Sequence, residues 1–378
     1  MYDDGMFESD RHLKGSEIRL WTLIEGRCAP GADIARIDQR ILLTDAARED
    51  HAVSRLPFLL SAVAMISCAA PAVPPHAPPP PAPQERWAST LDVNGPLVGR
   101  IYDVAHRQFV TREELLTHLS SATYVLLGEK HDNSDHHRLQ ALVLRGLIAH
   151  GKRPVVAFEQ IEVDHQPLID AFLASKPASA VGLGAAVKWD DRGWPTWADY
   201  EPIAQEALEA HLPIVAANLP HGEARAIAHG GMDVLGNERA QRLGLDKPLP
   251  PEAEASLGEE LRQSHCGQLP ETMIAPMALT QRARDATMAS LLMADEGAGA
   301  VLIAGAGHAR SDRGVPLAIH AQNPRADVAS VAFVEVDGVE APDAYAARFG
   351  AKTLPFDYVW FTPRANDDDP CADFGKKS

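Results

Sequence analysis

The 378-residue chain has no run of Lys and Arg and few cysteines, and both shortages exclude whole classes of protein. Its 35 basic residues stand against 52 acidic ones, for a formal net charge of -17. A surface of that sign repels phosphate backbones, so nucleic acid is excluded as a partner. The 4 cysteines include no CxxC pair or other zinc-type spacing, which excludes a structural zinc knuckle.

The most apolar segment of the sequence is also too short to cross a membrane. Residues 56–66 form an apolar run of 11 residues after Arg55, whereas a spanning helix needs about 20. A basic residue, a short apolar stretch and small residues are typical of a secretory signal. The segment Met65-Ile66-Ser67-Cys68 resembles a bacterial lipobox, which predicts lipidation of Cys68. The alternative is a buried helix in an N-terminal domain.

Residues 69–84 are almost all Ala and Pro, a composition that forms an extended tether rather than a core. More than 50 residues precede the signal, so we expect translation to begin near Val53 and residues 1–51 to have no function. The expected organisation is a leader and signal peptide over 1–67, with its apolar part at 56–66, the lipidated cysteine and tether over 68–84, an α/β domain over 85–365 and a flexible acidic tail over 366–378.

Two thiols remain once Cys28 is removed and Cys68 is acylated. Cys266 and Cys371 could pair in an oxidising periplasm. Two unpaired thiols are the equal alternative, because spacing along the chain says nothing about proximity.

Short β-branched runs alternate with helical segments from residue 85 onward. Buried strands are predicted at 123–127, 154–158, 213–217 and 300–304, and helices at 134–150, 166–173, 202–210 and 271–296. Two later strands, at 328–336 and 357–361, are expected to be antiparallel or at an edge. Continuous apolar strands that alternate with helices are typical of a mostly parallel sheet with helices on both faces.

Polar side chains follow four of these strands, where each strand ends. They are Glu129 with His131, then Glu159, then Asn218, and finally His308. Two of the turns have the form Gly-x-x-His, in which glycine permits a tight exit from the strand. Ligands of open α/β sheets bind in the crevice beyond the carboxyl ends of the strands, so these groups predict a ligand site there.

The chemistry of this polar centre has two interpretations. Glu129, His131, Glu159 and His308 form a mixed nitrogen and oxygen set suited to a divalent transition metal. Without a metal, the same groups could carry out acid–base chemistry, with the pKa of one glutamate raised by its neighbour. The alternative is that the glutamates cap helices and the histidines satisfy buried backbone. Supporting residues are expected to be Asn218, His136, His137, Arg310, Gln281 and Asp285.

Three of the 6 tryptophans fall within residues 189–197. This segment could form a flat apolar wall for a large planar ligand such as a porphyrin. It could equally be a loop folded onto the domain by its own aromatic side chains.

These segments together resemble the ChaN-like haem-binding lipoproteins of the Tiki superfamily. The resemblance is collinear over residues 102–363. It rests on the sequences LLGEKHD at 126–132, HHRLQ at 136–140, AFE at 157–159, GWPTW at 193–197 with Tyr200, CGQLP at 266–270, QRARDATMA at 281–289, GAGHAR at 305–310 and WFTP at 360–363.

This resemblance implies a cell-envelope lipoprotein that binds haem, takes part in iron uptake and holds two haems face to face in a homodimer. It also implies that Glu129, His131, Glu159 and His308 match a polar centre that is catalytic in the superfamily's enzymes. Haem iron prefers His, Tyr, Met or Cys as its axial ligand. Candidate haem-binding residues are Tyr200, His265, Trp194 and Trp197.

Two functions therefore compete. The first is haem binding without turnover, with the membrane reached through the lipid anchor. The alternative is a metal-dependent hydrolase of peptides or esters, of the Tiki or erythromycin-esterase type, that uses the Glu/His cluster. Ala69 follows Cys68 where inner-membrane lipoproteins usually carry Asp, which favours the outer membrane of a bacterial cell envelope.

Overall fold

The computed structural model describes residues 86–175, 179–295 and 297–372. The predicted signal, Cys68 and the tether lie outside the described residues, so their roles stay predictions. No helix within the described ranges is both long and apolar enough to span a bilayer.

Eight strands form one sheet in the described part of the chain. They are β1 (Ile101–Asp103), β2 (Gln108–Val110), β3 (Tyr124–Glu129), β4 (Val155–Glu162), β5 (Ile214–Asn218), β6 (Ala300–Gly305), β7 (Val328–Glu335) and β8 (Tyr358–Thr362).

The α-helices of the described residues surround this sheet. They are α1 (Arg112–Ser121), α2 (Ser134–Ala149), α3 (Gln166–Ala174), α4 (Ala180–Ala186), α5 (Trp197–Glu209), α6 (His221–Gly230), α7 (Met232–Leu235), α8 (Asn237–Arg242), α9 (Pro251–Ser264), α10 (Glu271–Leu292) and α11 (Val315–Gln322). Short 3-10 segments lie at Val163–His165, Trp189–Asp191 and Pro342–Phe349.

The strand order is β2-β1-β8-β7-β3-β6-β4-β5, and the sheet is mostly parallel, which confirms the predicted fold class. The prediction that the last two strands are antiparallel or at an edge is wrong. β7 pairs in parallel with β3 and with β8, both inside the sheet. The antiparallel edge is instead made by β1 and β2, which are too short to give a pattern in the sequence.

Alternate residues of the central strands pack in two separate hydrophobic cores, one on each face of the sheet. On one face Val125 and Leu127 of β3 pack in a cluster that also includes residues of α1, α2 and α5. On the other face Tyr124 and Leu126 belong to a cluster with residues of α10 and α11. This two-sided burial explains why the strands are apolar throughout rather than alternating.

Helix α2 starts directly beyond the end of β3, and its start fixes several polar side chains. The side chain of Asn133 accepts a hydrogen bond from the backbone N–H of Asp135 and so caps the helix. The Asp135 carboxylate in turn accepts the backbone N–H groups of Ala88 and Ser89. The beginning of the described domain is therefore tied to the first turn of α2.

Cys266 and Cys371 form a disulfide, so the first of the two alternatives for these thiols holds. The bond joins the loop between α9 and α10 to the segment that follows β8, and it closes a sequence separation of 105 residues. A crosslink of this span removes much conformational freedom from the unfolded chain.

Replacing both cysteines by serine should therefore lower the free energy of unfolding by about 4 to 5 kcal/mol in the loop-entropy model. Urea denaturation of the full chain and of the double variant measures this difference. Wild-type protein in excess dithiothreitol provides the matched control and should lose the same amount. An unchanged free energy of unfolding in both samples would contradict the stabilising role of this bond.

Candidate functional site

Four polar strand ends meet at one edge of the sheet because their strands run parallel. β6 lies between β3 and β4, and β5 follows β4. Glu129, the last residue of β3, is in register with Gly305, the last residue of β6. The register between β4 and β5 shifts after Phe158, where Glu159 lies. Glu129, Glu159 and His308 therefore come together at this edge, where ligands of such sheets bind, whereas Asn218 instead bonds Arg284 of α10.

Glu129 is buried and receives several donors from different elements. Its Oε1 lies 2.8 Å from Nδ1 of His131 and accepts Nε2–H of Gln160 at 3.0 Å and the hydroxyl of Tyr200 at 2.7 Å. Burial alone would raise the pKa of this carboxyl, but the charge of His137 and the hydrogen bond from His131 outweigh burial and hold the pKa well below its usual range.

His137 of α2 is the charged partner of Glu129. Its Nε2 lies 2.9 Å from the carbonyl oxygen of His131, and its Nδ1 lies 3.0 Å from Oε2 of Glu129 and 3.3 Å from Oε1 of Gln140. Since acceptors face both ring nitrogens, both nitrogens must carry hydrogen. Burial opposes this charge, but Glu129 outweighs it and raises the pKa of His137 to about 9.

His308 is held in the same way between two carboxylates. Its Nδ1 lies 2.6 Å from Oδ1 of Asp285 on α10, and its Nε2 lies 3.2 Å from Oε1 of Glu159. Burial disfavours the imidazolium, but Glu159 and Asp285 together raise the pKa of His308 to about 10. Burial would also raise the pKa of Glu159, yet the charge of His308 lowers it to about 2. The three side chains thus form a buried row of alternating charge.

Gly305 allows this arrangement because it leaves room for two side chains. Its backbone N–H donates to Oε2 of Glu159 at 2.7 Å. A Cβ atom at this position would lie 2.9 Å from Nε2 of His131, well inside contact distance. The first glycine of the second Gly-x-x-His turn is therefore required by the close approach of the His131 ring.

A cleft of about 260 Å³ opens over the buried groups. Its floor includes Glu129 and His308, and its walls come from α9, α10 and the turn after β6. The imidazole of His131 is 18% exposed and packs edge-on against Trp194, with 4.7 Å between ring centroids. Oε1 of Gln281, which also lines the cleft, is buried and has no hydrogen-bond partner among the described residues.

Other predicted supporting residues lie outside this cleft. His136 is fully buried; its Nδ1 accepts the backbone N–H of Lys130 and its Nε2 bonds the hydroxyl of Thr362, while burial lowers its pKa to about 3. Asn218 accepts a hydrogen bond from Arg284 of α10. Arg310 is buried and bonds Asp312, Ser256 and the carbonyl oxygen of Phe349. These three residues support the frame of the site, whereas Gln281, Asp285 and His137 belong to it.

The tryptophan segment is folded onto the domain by its own aromatics for the most part. Trp189 contacts Trp197 and Tyr200 at centroid distances of 4.8 and 4.7 Å, and all three are buried. The hydroxyl of Tyr200 is committed to Glu129, and burial raises its pKa far above the usual value. Of the predicted haem-binding residues on this segment, Trp194 is the one beside the cleft, through its contact with His131.

His265 lies at the end of α9, beside the disulfide. Its Nδ1 is 2.8 Å from the carbonyl oxygen of Leu261 in the same helix. It does not line the cleft that contains Glu129 and His308.

The structure does not support the predicted metal site. In the described ranges no group of three or more His, Cys, Asp or Glu side chains is arranged to hold a metal ion. The physical reason is that the acids and imidazoles bond one another: both nitrogens of His308 face carboxylates, and Glu159 is shared between His308 and the N–H of Gly305. A divalent metal at Glu129, His131, Glu159 and His308 would have to displace these contacts.

Three residues of the site, Gln160, Glu260 and Arg313, belong to no motif that could be recognised in the sequence. Gln160 donates to Glu129 and follows Glu159 directly, so its inward orientation depends on the irregularity in β4. Glu260 and Arg313 pair with each other across the cleft wall. They come from α9 and from the turn before α11, and only the packing of these two elements brings them together.

The sheet is mostly parallel, and buried acids and imidazoles lie at the carboxyl ends of its strands. These features place the chain among the α/β proteins whose ligand site lies at that edge of the sheet. The model of the family described as "Haem-binding uptake, Tiki superfamily, ChaN" matches residues 115–319, and the chain belongs to this family. The predicted family membership is therefore confirmed.

The fold is similar to that of the ChaN protein of Campylobacter jejuni, which was solved with cofacially bound haem. It shares 24% identity, the match covers 69% of this chain and 95% of that one, and the TM-score is 0.54. An effector domain of a Vibrio vulnificus toxin matches at 17% identity over 60% of this chain and 36% of its own, with a TM-score of 0.37. An erythromycin esterase variant in its open conformation matches at 13% identity over 75% and 99%, with a TM-score of 0.36. A search of curated proteins finds no match.

The charge row predicts a specific pH dependence. The pKa of His308 is raised from 6.5 to about 10, so its pairing contributes full stability below pH 6.5 and the contribution is lost as pH rises through about 10. NMR of histidine-labelled protein should show the His308 ring titrating near the upper value. The Asp285→Asn variant should bring this midpoint down, since Asp285 supplies part of the shift. Titration of His308 at the same ordinary pH in both proteins would refute the paired arrangement.

Proposed function

We propose that this chain binds haem across the cleft at the carboxyl edge of the sheet and serves in haem or iron uptake. The observation that carries the proposal is membership of the haem-binding ChaN family together with a cleft at the predicted crevice. The fit of the donors supports it: His131 is an imidazole of the type that ligates haem iron, and it reaches the cleft beside the indole of Trp194.

The hydrogen bond between His131 and Glu129 suits an iron-ligating role. Ligating histidines usually direct their second ring nitrogen to a carboxylate, which fixes the orientation of the ring. The 2.8 Å contact from Nδ1 of His131 to Oε1 of Glu129 is of this type. When bound, the haem would supply the iron and its redox chemistry, while His131 and Trp194 would hold and orient it.

The size of the cleft bears on how haem would bind. Its volume of about 260 Å³ lies below the roughly 300 to 1,000 Å³ of pockets that enclose drug-sized ligands. A haem would therefore lie across the mouth and leave one face uncovered. We infer that a second copy of the chain covers this face, with the two haems stacked against each other.

A binding role explains the protonation of the centre better than hydrolysis does. A general base works best when its pKa is close to the working pH. The neighbouring carboxylates raise the pKa of His137 to about 9 and that of His308 to about 10, so both imidazoles are already protonated near neutral pH. The partners Glu129 and Glu159 are correspondingly weak bases, because the same pairs lower the pKa of each.

Titrating the purified full chain with hemin should shift and sharpen the Soret band relative to that of free hemin, and Gly307→Trp should weaken binding at least tenfold. Gly307 lines the mouth of the cleft, so an indole there would occupy the space for the porphyrin. Gly222→Trp is the matched control, because a side chain at Gly222 meets open space on α6. Sedimentation velocity on the same samples should show dimers with hemin and monomers without it. Identical titration curves for both variants, or a wild-type Soret band that stays the same as that of free hemin, would overturn the proposal.

We also propose that the chain is an envelope lipoprotein, anchored through Cys68 to the outer membrane. The lipobox-like segment ending at Cys68 and the Pro-rich tether support this location.

Labelling of expressing bacteria with a palmitate analogue tests the anchor. The full chain should take up label, and Cys68→Ala should abolish it by removing the acylated sulfur. Cys28→Ala is the control and should keep the label, because Cys28 precedes the expected cleavage point. Label that survives in Cys68→Ala, or is lost in Cys28→Ala, would contradict the assignment.

A further inference from the structure

A second cavity lies behind the candidate site, on the other side of Asp285. It holds about 170 Å³, is partly open to solvent, and is lined by the loop at 243–250, by α10 and by α11. Its lining is largely apolar, with Leu245 and Leu249 from the loop and Leu317 and Ala318 from α11. The haem proposal makes no use of this space.

Two arginines introduce positive charge into this apolar cavity. Arg282 of α10 donates to the carbonyl oxygen of Lys247 and forms no ion pair with the described residues. Burial lowers its pKa, although the charges of Glu254, Asp285 and Asp246 oppose this effect. A partly buried guanidinium without a carboxylate in contact has unmet capacity to bind an anion.

Arg313, which lies just before α11, also lines this cavity. One of its terminal nitrogens pairs with Glu260, but its Nε is buried without a hydrogen-bond partner among the described residues. Asp285 is a carboxylate in the lining of this cavity, and its Oδ1 is engaged by His308 on the cleft side. The charged residues of the lining are three basic ones, Lys247, Arg282 and Arg313, and one acidic one, Asp285, so positive charge predominates in the cavity.

We propose that this cavity binds a small amphipathic carboxylate, with its acid group at Arg282 and Arg313 and its apolar body against Leu245, Leu317 and Ala318. Guanidinium groups bind carboxylates through paired, charge-assisted hydrogen bonds. A cavity of about 150 Å³ accommodates a benzene ring, so a volume of about 170 Å³ fits a body of about that size. Because Asp285 lines both spaces, occupancy here alters the surroundings of His308.

Isothermal titration calorimetry of the full chain with sodium benzoate tests this site. Benzoate should bind, and benzamide, which has the same body without the charge, should bind at least tenfold more weakly. Arg282→Gln should weaken benzoate binding at least tenfold. Arg225→Gln is the matched control, because Arg225 is exposed on α6 and does not line the cavity.

A second variant keeps the test decisive if Arg282→Gln does not fold, as checked by circular dichroism. Ala318→Phe leaves both arginines in place and fills the cavity, so it should abolish benzoate binding. The proposal is overturned if the wild type shows no binding, if benzamide binds as tightly as benzoate, or if Ala318→Phe binds benzoate normally. Each of these measurements is made without haem, so its result does not depend on the proposed function.

Discussion

Buried carboxylates and imidazoles neutralise one another at the carboxyl edge of the sheet, and the architecture of the site depends on this pairing. Glu129 and Glu159 end or interrupt central strands, where water cannot solvate their charge. An isolated buried carboxylate costs several kcal/mol, and the group would take up a proton instead. The charge is retained because His137 and His308 approach within 3.0 and 3.2 Å of the two acids.

The surrounding elements are positioned to meet this requirement. α2 begins shortly after β3 and brings Nδ1 of His137 to 3.0 Å from Oε2 of Glu129. α10 brings Asp285 to Nδ1 of His308, the ring nitrogen that does not contact Glu159. Gly305 leaves the space in which the His131 ring approaches the end of β6. The lining of the cleft includes the edge of His131, the glycine-rich turn and the side chains of Gln281, Lys130 and Glu260. The buried acids beneath it are paired with imidazoles.

The sequence allowed the sheet, its parallel centre and the convergence of four strand ends to be predicted, because buried parallel strands are apolar throughout and their ends are marked by glycine and polar residues. The antiparallel edge of β1 and β2 could not be predicted in the same way, since three-residue strands show no periodicity. The metal site was predicted from the types of ligand alone. The sequence does not reveal that Asp285 and the N–H of Gly305 satisfy the same atoms that a metal would need.

A double-mutant cycle on Glu159 and His308 tests the pairing most directly. Free energies of unfolding at neutral pH are measured for the wild type, Glu159→Gln, His308→Gln and the double variant. Removing either partner leaves the other charge buried without it, so the stability losses of the two single variants should add up to more than the loss of the double variant. The difference, which is the coupling free energy, should be about 1 to 3 kcal/mol. Losses that add to within about 0.5 kcal/mol would show that the two side chains are independent and would contradict this account of the site.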